Sequence, residues 1–264
     1  MNIKTNFVIG GILAFLLIVY VFYRLYIFTT SINVSRAIVI VEPRVHTLLK
    51  SVIENFDKYM DKSWDLYVFY GNLNKEVAYN ATSKLVGRKV IHLPLGVDNM
   101  TALEYNHLFK KAEFWSQVDA ENILVFQTDA VLCSKSTQTI ENYTMYDYIG
   151  CSYDDKTIGR DAFPDWGPNH EFYGIGGLSF RKKSFMLQCI KTFIKHPDHP
   201  EDMFYSECTA KHSKQLPSAK VLNQFCTQHV YKEKSFGAHK THADLKNKGY
   251  FYDYCPEALM LEGS

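Results

Sequence analysis

The chain alternates between short, wholly apolar runs and longer stretches in which apolar residues recur every three or four positions. Ala37–Val41, Leu66–Tyr70 and Ile123–Phe126 belong to the first kind. Rich in β-branched and aromatic residues and lacking polar alternation, they read as strands, with Ala37–Val41 typical of one buried on both faces, and Lys89–Leu93 reads as a further strand stopped by Pro94. Arg44–Met60 belongs to the second kind, with Val45, Leu48, Leu49, Val52, Ile53 and Phe56 on one helical face. Thr101–Val118 is a second helix, opened by Thr101 and Glu104 at capping-box spacing. Strands alternating with helices predict an α/β fold, a mostly parallel sheet covered on both sides. Beyond Tyr148 the pattern changes. A Gly-, Pro- and Asp-containing loop, Asp154–Tyr173, leads to a glycine-rich strand at Gly174–Phe180, and helices are predicted at Lys182–Lys195, Glu201–Lys211 and Ser218–Val230.

The N-terminus follows neither pattern. Phe7–Tyr23 contains no charge, and Leu25–Phe28 extends the apolar stretch beyond Arg24. About 20 apolar residues cross a hydrocarbon core of about 30 Å. No small-residue cleavage site follows, so residues 7–28 read as an uncleaved transmembrane signal-anchor rather than a secretory leader or a core helix. The expected organisation is a tail at 1–6, the anchor at 7–28, a stalk at 29–35 and one globular domain at 36–264. Lys4 and the amino terminus nearly balance Arg24 and Arg36 across the segment. A type II arrangement with a lumenal, Golgi- or ER-like domain is favoured, and sequons at Asn33, Asn80, Asn99 and Asn142 add slightly to that reading.

Composition narrows the classes. Of 264 residues, 15% are aromatic, too many for a disordered chain, and a net charge of +1 lacks the electrostatic footprint of a nucleic-acid binder. The six cysteines form no C-x-x-C pair, which removes zinc-ligand spacing and leaves disulfides and buried free thiols both open.

Ligands of parallel sheets bind beyond the carboxyl ends of the strands. Glu42 and Arg44 follow the first predicted strand there, and Gln127, Thr128 and Asp129 follow the fourth. Asp129 is either a turn or capping residue or a ligand for a hard divalent cation, which prefers oxygen. Gly176 and Gly177 mark either a tight turn or a backbone that something must approach closely. Glu201 and Asp202 open a helix, where they complement its dipole or supply a general base. His239 and His242 lie in a predicted loop, which gives an H-x-x-H pair no fixed facing.

These elements occur in one order: a strand-end acid, a glycine-rich strand, a Glu-Asp pair and a late His. That order resembles the GT-A glycosyltransferases, with their D-x-D motif, glycine-rich stretch, x-E-D motif and C-terminal His. The chain more closely resembles a GT-A-like family known as a domain of unknown function in fungi, bacteria and large viruses. The resemblance is carried by VEPR (41–44), YNHLFKKAEFW (105–115), ILVFQTDAVLC (123–133), YDYIG (146–150), GIGGLSFR (174–181), PEDMFY (200–205) and FGAHK (236–240).

The resemblance implies a three-layer αβα sandwich and a membrane-anchored, inverting glycosyltransferase that moves a sugar from a nucleotide-sugar donor to a glycan or glycoprotein acceptor. Asp202 would be the catalytic base. Asp129 and His239 would hold Mn²⁺ or Mg²⁺. Glu42, Arg44, Asn106, Gln127, Thr128 and Asp129 would face the donor; Gly176, Gly177, Trp166 and Glu201 would face the acceptor. Gln127 replaces the first acid of D-x-D and brings no charge to the metal. That replacement supports a rival reading, a non-catalytic nucleotide-sugar or glycan binder on a degenerate fold. A metal-dependent phosphoesterase would need more clustered carboxylates and histidines.

Overall fold

The computed structural model describes residues 19–20, 35–152, 172–192 and 199–263. Ser35–Ser264 forms one compact unit. All but residues 19–20 of the expected anchor, and Trp166 with most of the loop around it, lie outside the described residues. Among the described residues no helix is long and apolar enough to cross a membrane.

Six strands form the central sheet: β1 (Arg36–Glu42), β2 (Asp65–Tyr70), β3 (Val90–Pro94), β4 (Asn122–Phe126), β6 (Tyr148–Cys151) and β7 (Ile175–Lys182). Their spatial order is β3-β2-β1-β4-β7-β6. The first four are mutually parallel, and β7 runs antiparallel to both neighbours. The reversal at β7 brings that strand's glycine-rich beginning to the carboxyl end of β4. There the Gln127 amide donates to the Gly177 carbonyl at 2.9 Å.

Helices cover both faces, as the doubly buried strands require. Ile38 and Ile40 of β1 join one core with Leu49, Val52, Ile53 and Phe56 of α1 (Leu49–Tyr59) and with α2 (Lys75–Thr82). Ala37, Val39 and Val41, on the opposite face, join Phe109 of α3 (Ala102–Phe109), Phe114 and Trp115 of α4 (Ala112–Ser116), and residues of α5 (Lys183–Thr192) and α6 (Glu201–His212). Period-2 alternation along one strand thus feeds two separate cores.

A second sheet of three short strands has the order β5-β9-β8, with β5 at Ala130–Leu132, β8 at Cys226–Thr227 and β9 at Gly237–His239. Four sequence expectations change here. The first helix starts at Leu49 rather than Arg44, because the Arg44 amide and guanidinium are both bonded to Glu42. The Thr101–Val118 helix keeps its capping box but breaks after Phe109. Two side chains, the Trp115 indole N–H and the Tyr205 hydroxyl, take up the Phe109 carbonyl. The last predicted helix, α7 (Ala219–Phe225), stops where Cys226 enters β8, and the loop expected around His239 is strand β9 followed by α8 (Thr241–Asp244).

All six cysteines are paired: Cys133–Cys255, Cys151–Cys226 and Cys189–Cys208. The first closes a separation of 122 residues and ties β5 to the C-terminal segment. The last joins α5 to α6. Denaturation with an alkylating agent and without reductant is therefore expected to modify no cysteine, and prior reduction to expose all six, as read by intact mass. Replacing both Cys133 and Cys255 by Ser is expected to lower unfolding stability by about 2–5 kcal/mol.

Candidate active site

The site is assembled where β1, β4 and the start of β7 end in space. After β1, Glu42 is buried at 4% exposure and accepts both Nε and an Nη of Arg44, each at 2.8 Å. The Thr128 hydroxyl donates to the same carboxylate at 3.3 Å. Asn74, fully buried, donates to the carbonyls of Glu42 and Arg44 and so pins the loop between them. The Arg44 guanidinium is raised above its ordinary pKa chiefly by its hydrogen bond to Glu42, with the nearby Asp129 charge contributing. It remains more than half exposed, a cation held by Glu42 beyond the end of β1.

Asp129 follows β4, and His239 ends β9, 110 positions later. The antiparallel ladder between β5 and β9 pairs Ala130 with His239, and the Lys240 amide donates to the Asp129 carbonyl. That register brings His239 Nε2 within 3.2 Å of Asp129 Oδ1 and 3.3 Å of Gln127 Oε1. Asp129 Oδ1 is buried and has no hydrogen-bond partner. Burial acts to raise the Asp129 pKa, but its interaction with His239 more than offsets this, leaving it below the ordinary carboxylate value. Asp129 is therefore an anion at neutral pH.

The glycine pair makes room for these groups. A Cβ on Gly177 would lie 2.0 Å from His239 Nε2, and one on Gly176 would lie 2.0 Å from Glu201 Oε1. Both positions require glycine because side chains from β9 and α6 press on opposite faces of the same strand end. The two glycines expected at the acceptor thus stand against protein side chains.

Glu201 is buried, and its two carboxylate oxygens accept from the Arg181 guanidinium at 2.7 and 2.9 Å. Asn106, expected at the donor, accepts the Glu201 amide at 3.1 Å and so satisfies an otherwise open N–H at the start of α6. Arg181 is fully buried, with the rings of Phe109, Trp115, Tyr148 and Tyr205 at 5.0–5.7 Å from its guanidinium carbon. Asp202, one residue after Glu201, accepts the Gly176 amide at 3.2 Å and its neighbour Met203's at 2.8 Å. Burial first, and the Glu201 charge second, raise its carboxyl to about 6. A carboxylate with that acidity can take a proton near neutral pH.

Tyr105 and Gln228 also belong to the site. The Tyr105 hydroxyl stands beside Gln127, and Gln228 Oε1 lies 2.8 Å from His239 Nδ1. Tyr105 opens the segment 105–115 that carries the resemblance, whereas Gln228 carries no sequence signal beyond its residue type. Among the described residues no cluster of three His, Cys, Asp or Glu is placed to hold a metal. The protein's own donors at this point are Asp129 and His239, with Gln127 as a neutral oxygen.

Residues 91–239, more than half the chain, match the family described as "Protein of unknown function (DUF5672)". The chain belongs to that family. No curated protein matches it. Solved structures with a similar trace include mouse xyloside xylosyltransferase 1 in its apo form, at 8% identity and TM-score 0.46, over 77% of this chain and 97% of that one. Another is the glycosyltransferase GlyE of Streptococcus pneumoniae TIGR4, at 11% identity and TM-score 0.43, over 88% of this chain and 50% of that one.

The buried Arg181–Glu201 pair and the raised Asp202 carboxyl make opposite predictions for stability. Glu201→Gln leaves Arg181 uncompensated and is expected to cost about 3–5 kcal/mol. Asp202 behaves differently. Its folded pKa, about 6, exceeds its unfolded value near 4, so the group favours folding while protonated and loses that contribution as pH rises through about 6. The melting temperature of Asp202→Asn, measured against wild type, is therefore expected to shift in the variant's favour between pH 4 and pH 7. A difference that stays constant over that range would show an ordinary acidity at Asp202.

Proposed function

We propose that the protein is a glycosyltransferase that uses a nucleotide-sugar donor and a glycan or glycoprotein acceptor. The observation that carries this reading is the convergence of Asp129 and His239 beyond a parallel sheet's carboxyl end, with the weakly acidic Asp202 held at the same strand tip. The orphaned Asp129 oxygen, the adjacent imidazole and the Gln127 carbonyl fit a divalent cation such as Mn²⁺ or Mg²⁺. When bound there, the ion would supply charge neutralisation at a diphosphate leaving group.

The chain's own residues account for the remaining chemistry. Asp202 accepts the proton of the acceptor hydroxyl as that oxygen attacks the anomeric carbon. The bond from this carbon to the diphosphate oxygen breaks, the nucleoside diphosphate leaves with the electron pair, and configuration inverts. The Arg44 cation, steadied by Glu42, offers the departing phosphates a second positive charge. Glu201 supports Asp202 from behind through Arg181, and Thr128 holds Glu42 in place. Acceptor contacts at Trp166 remain part of the proposal.

Residues 7–28 are proposed as the membrane anchor and the domain as lumenal. Three disulfides support an oxidising compartment, and the sequon residues Asn80, Asn99 and Asn142 are exposed. The rival, a non-catalytic binder, draws on Gln127, whose neutral side chain weakens the attraction for a cation.

Turnover decides between the two. Sugar release or transfer from UDP-, GDP- or CMP-sugars, measured with and without Mn²⁺, is expected to depend on the metal. It is also expected to rise through about pH 6 as Asp202 ionises. Asp202→Asn should lower kcat by roughly 10²–10⁴-fold with donor KM little changed. Tight donor binding with no turnover of any sugar nucleotide would favour the binder.

A further inference from the structure

We propose that Gln228 and Asp244 are positioning residues that fix the ring tautomer of His239, so that its Nε2 lone pair faces the cation site beside Asp129. This builds on the cation reading above, but the tautomer can be read without any metal.

The register of β8 on β9 pairs Thr227 with Ala238, which sets Gln228 beside His239. The Gln228 amide nitrogen donates to Asp244 Oδ2 at 2.8 Å. A carboxylate has no proton to give, so the NH₂ end of Gln228 must face Asp244. Its carbonyl oxygen is thereby turned to His239 Nδ1, 2.8 Å away. A carbonyl only accepts, so Nδ1 must carry the hydrogen. In a neutral imidazole the other nitrogen then bears the lone pair.

That lone pair points at two more electron-rich atoms, Asp129 Oδ1 at 3.2 Å and Gln127 Oε1 at 3.3 Å. In the neutral ring none of the three has a proton for the others, and Asp129 Oδ1 is buried without a hydrogen-bond partner. Three such atoms held together repel unless a positive charge lies among them, either the ring's own second proton, which pairs the imidazolium with Asp129, or a metal ion that replaces it. Both ends of the relay are fixed by backbone structure. Gln228 and His239 are each 5% exposed, and Asp244 sits in α8, where its amide donates to the Lys240 carbonyl. The motif residues alone would leave His239 free to adopt either tautomer; the relay selects the one that can bind a metal at Nε2.

The test uses the full-length chain in detergent, labelled with ¹⁵N-histidine and freed of metal. Long-range ¹H–¹⁵N correlation at about pH 8.5, above the ordinary histidine range, reads the tautomer, with His239 assigned by its loss in His239→Gln. Free Mn²⁺ measured by electron paramagnetic resonance reads affinity, and a melting curve on each sample checks folding. Wild type is expected to show hydrogen on Nδ1. Gln228→Leu should lose that preference and weaken Mn²⁺ binding by about 10–100-fold while remaining folded. The swapped pair Gln228→Glu with Asp244→Asn keeps an acceptor at Nδ1 and the total charge, and should restore both readouts.

Hydrogen on Nε2 in the wild type would overturn the proposal. So would an unchanged tautomer and unchanged Mn²⁺ affinity in Gln228→Leu. Wild-type protein with the Nδ1–H tautomer but no Mn²⁺ binding would instead overturn the cation reading and uphold the relay.

Discussion

The ion pair between Arg181 and Glu201 is the constraint on which the site depends. A guanidinium with no solvent exposure loses its hydration, and only close compensation makes that tolerable. Here compensation comes from two parallel hydrogen bonds to Glu201, a third to Ser179 Oγ, and the faces of four aromatic rings. The pair joins the second half of β7 to the first residue of α6. Asp202 is the next residue along, so its position follows from a contact made by its neighbour. Its acidity follows too, since the Glu201 charge helps hold its proton. Gly176 completes the arrangement, because any side chain there would strike Glu201.

A second, independent device supplies the other half of the site. The small sheet joins β5, which directly follows Asp129, to β9, which ends in His239. Its short ladder closes a long chain separation at low cost in geometry, because both strands are fully buried and Cys133–Cys255 and Cys151–Cys226 hold the elements around them. Gly177 lies between the two devices, in contact with the His239 ring on one face while its carbonyl accepts the Gln127 amide from β4. One reversed strand, β7, therefore carries the alignment of both the candidate base Asp202 and a candidate cation pair.

Much of this was legible in the sequence, and the limits have physical causes. Strands β1, β2 and β4 announced themselves because burial on both faces demands uninterrupted apolar runs, whereas β3, at the sheet edge and half-buried, carries His92 within its run. The Thr101 capping box was legible because it is a local pattern. The order of acid, glycines, Glu-Asp and His named the residues that come together, although not the contacts among them. Glu201 reads as a dipole-favouring helix start, and nothing local reveals that its partner is Arg181, twenty residues earlier. Strand β9 was missed because Gly237-Ala238-His239 has no β-propensity; tertiary burial alone makes it a strand. The break after Phe109 was hidden for a similar reason, since the carbonyl that would continue the helix is taken by side chains distant in sequence or beyond the turn. Six cysteines allow fifteen connectivities, about which spacing is silent.

The central claim is that Asp129 and His239 form one cation-binding point at the end of β4. Crystals grown with Mn²⁺ and a nucleoside diphosphate, measured on both sides of the manganese absorption edge, test it directly. The account predicts one strong anomalous peak at bonding distance from Asp129 Oδ1 and His239 Nε2, with diphosphate oxygens completing the shell. A nucleotide bound at the strand ends with no manganese between these two side chains, or manganese held elsewhere, would contradict it.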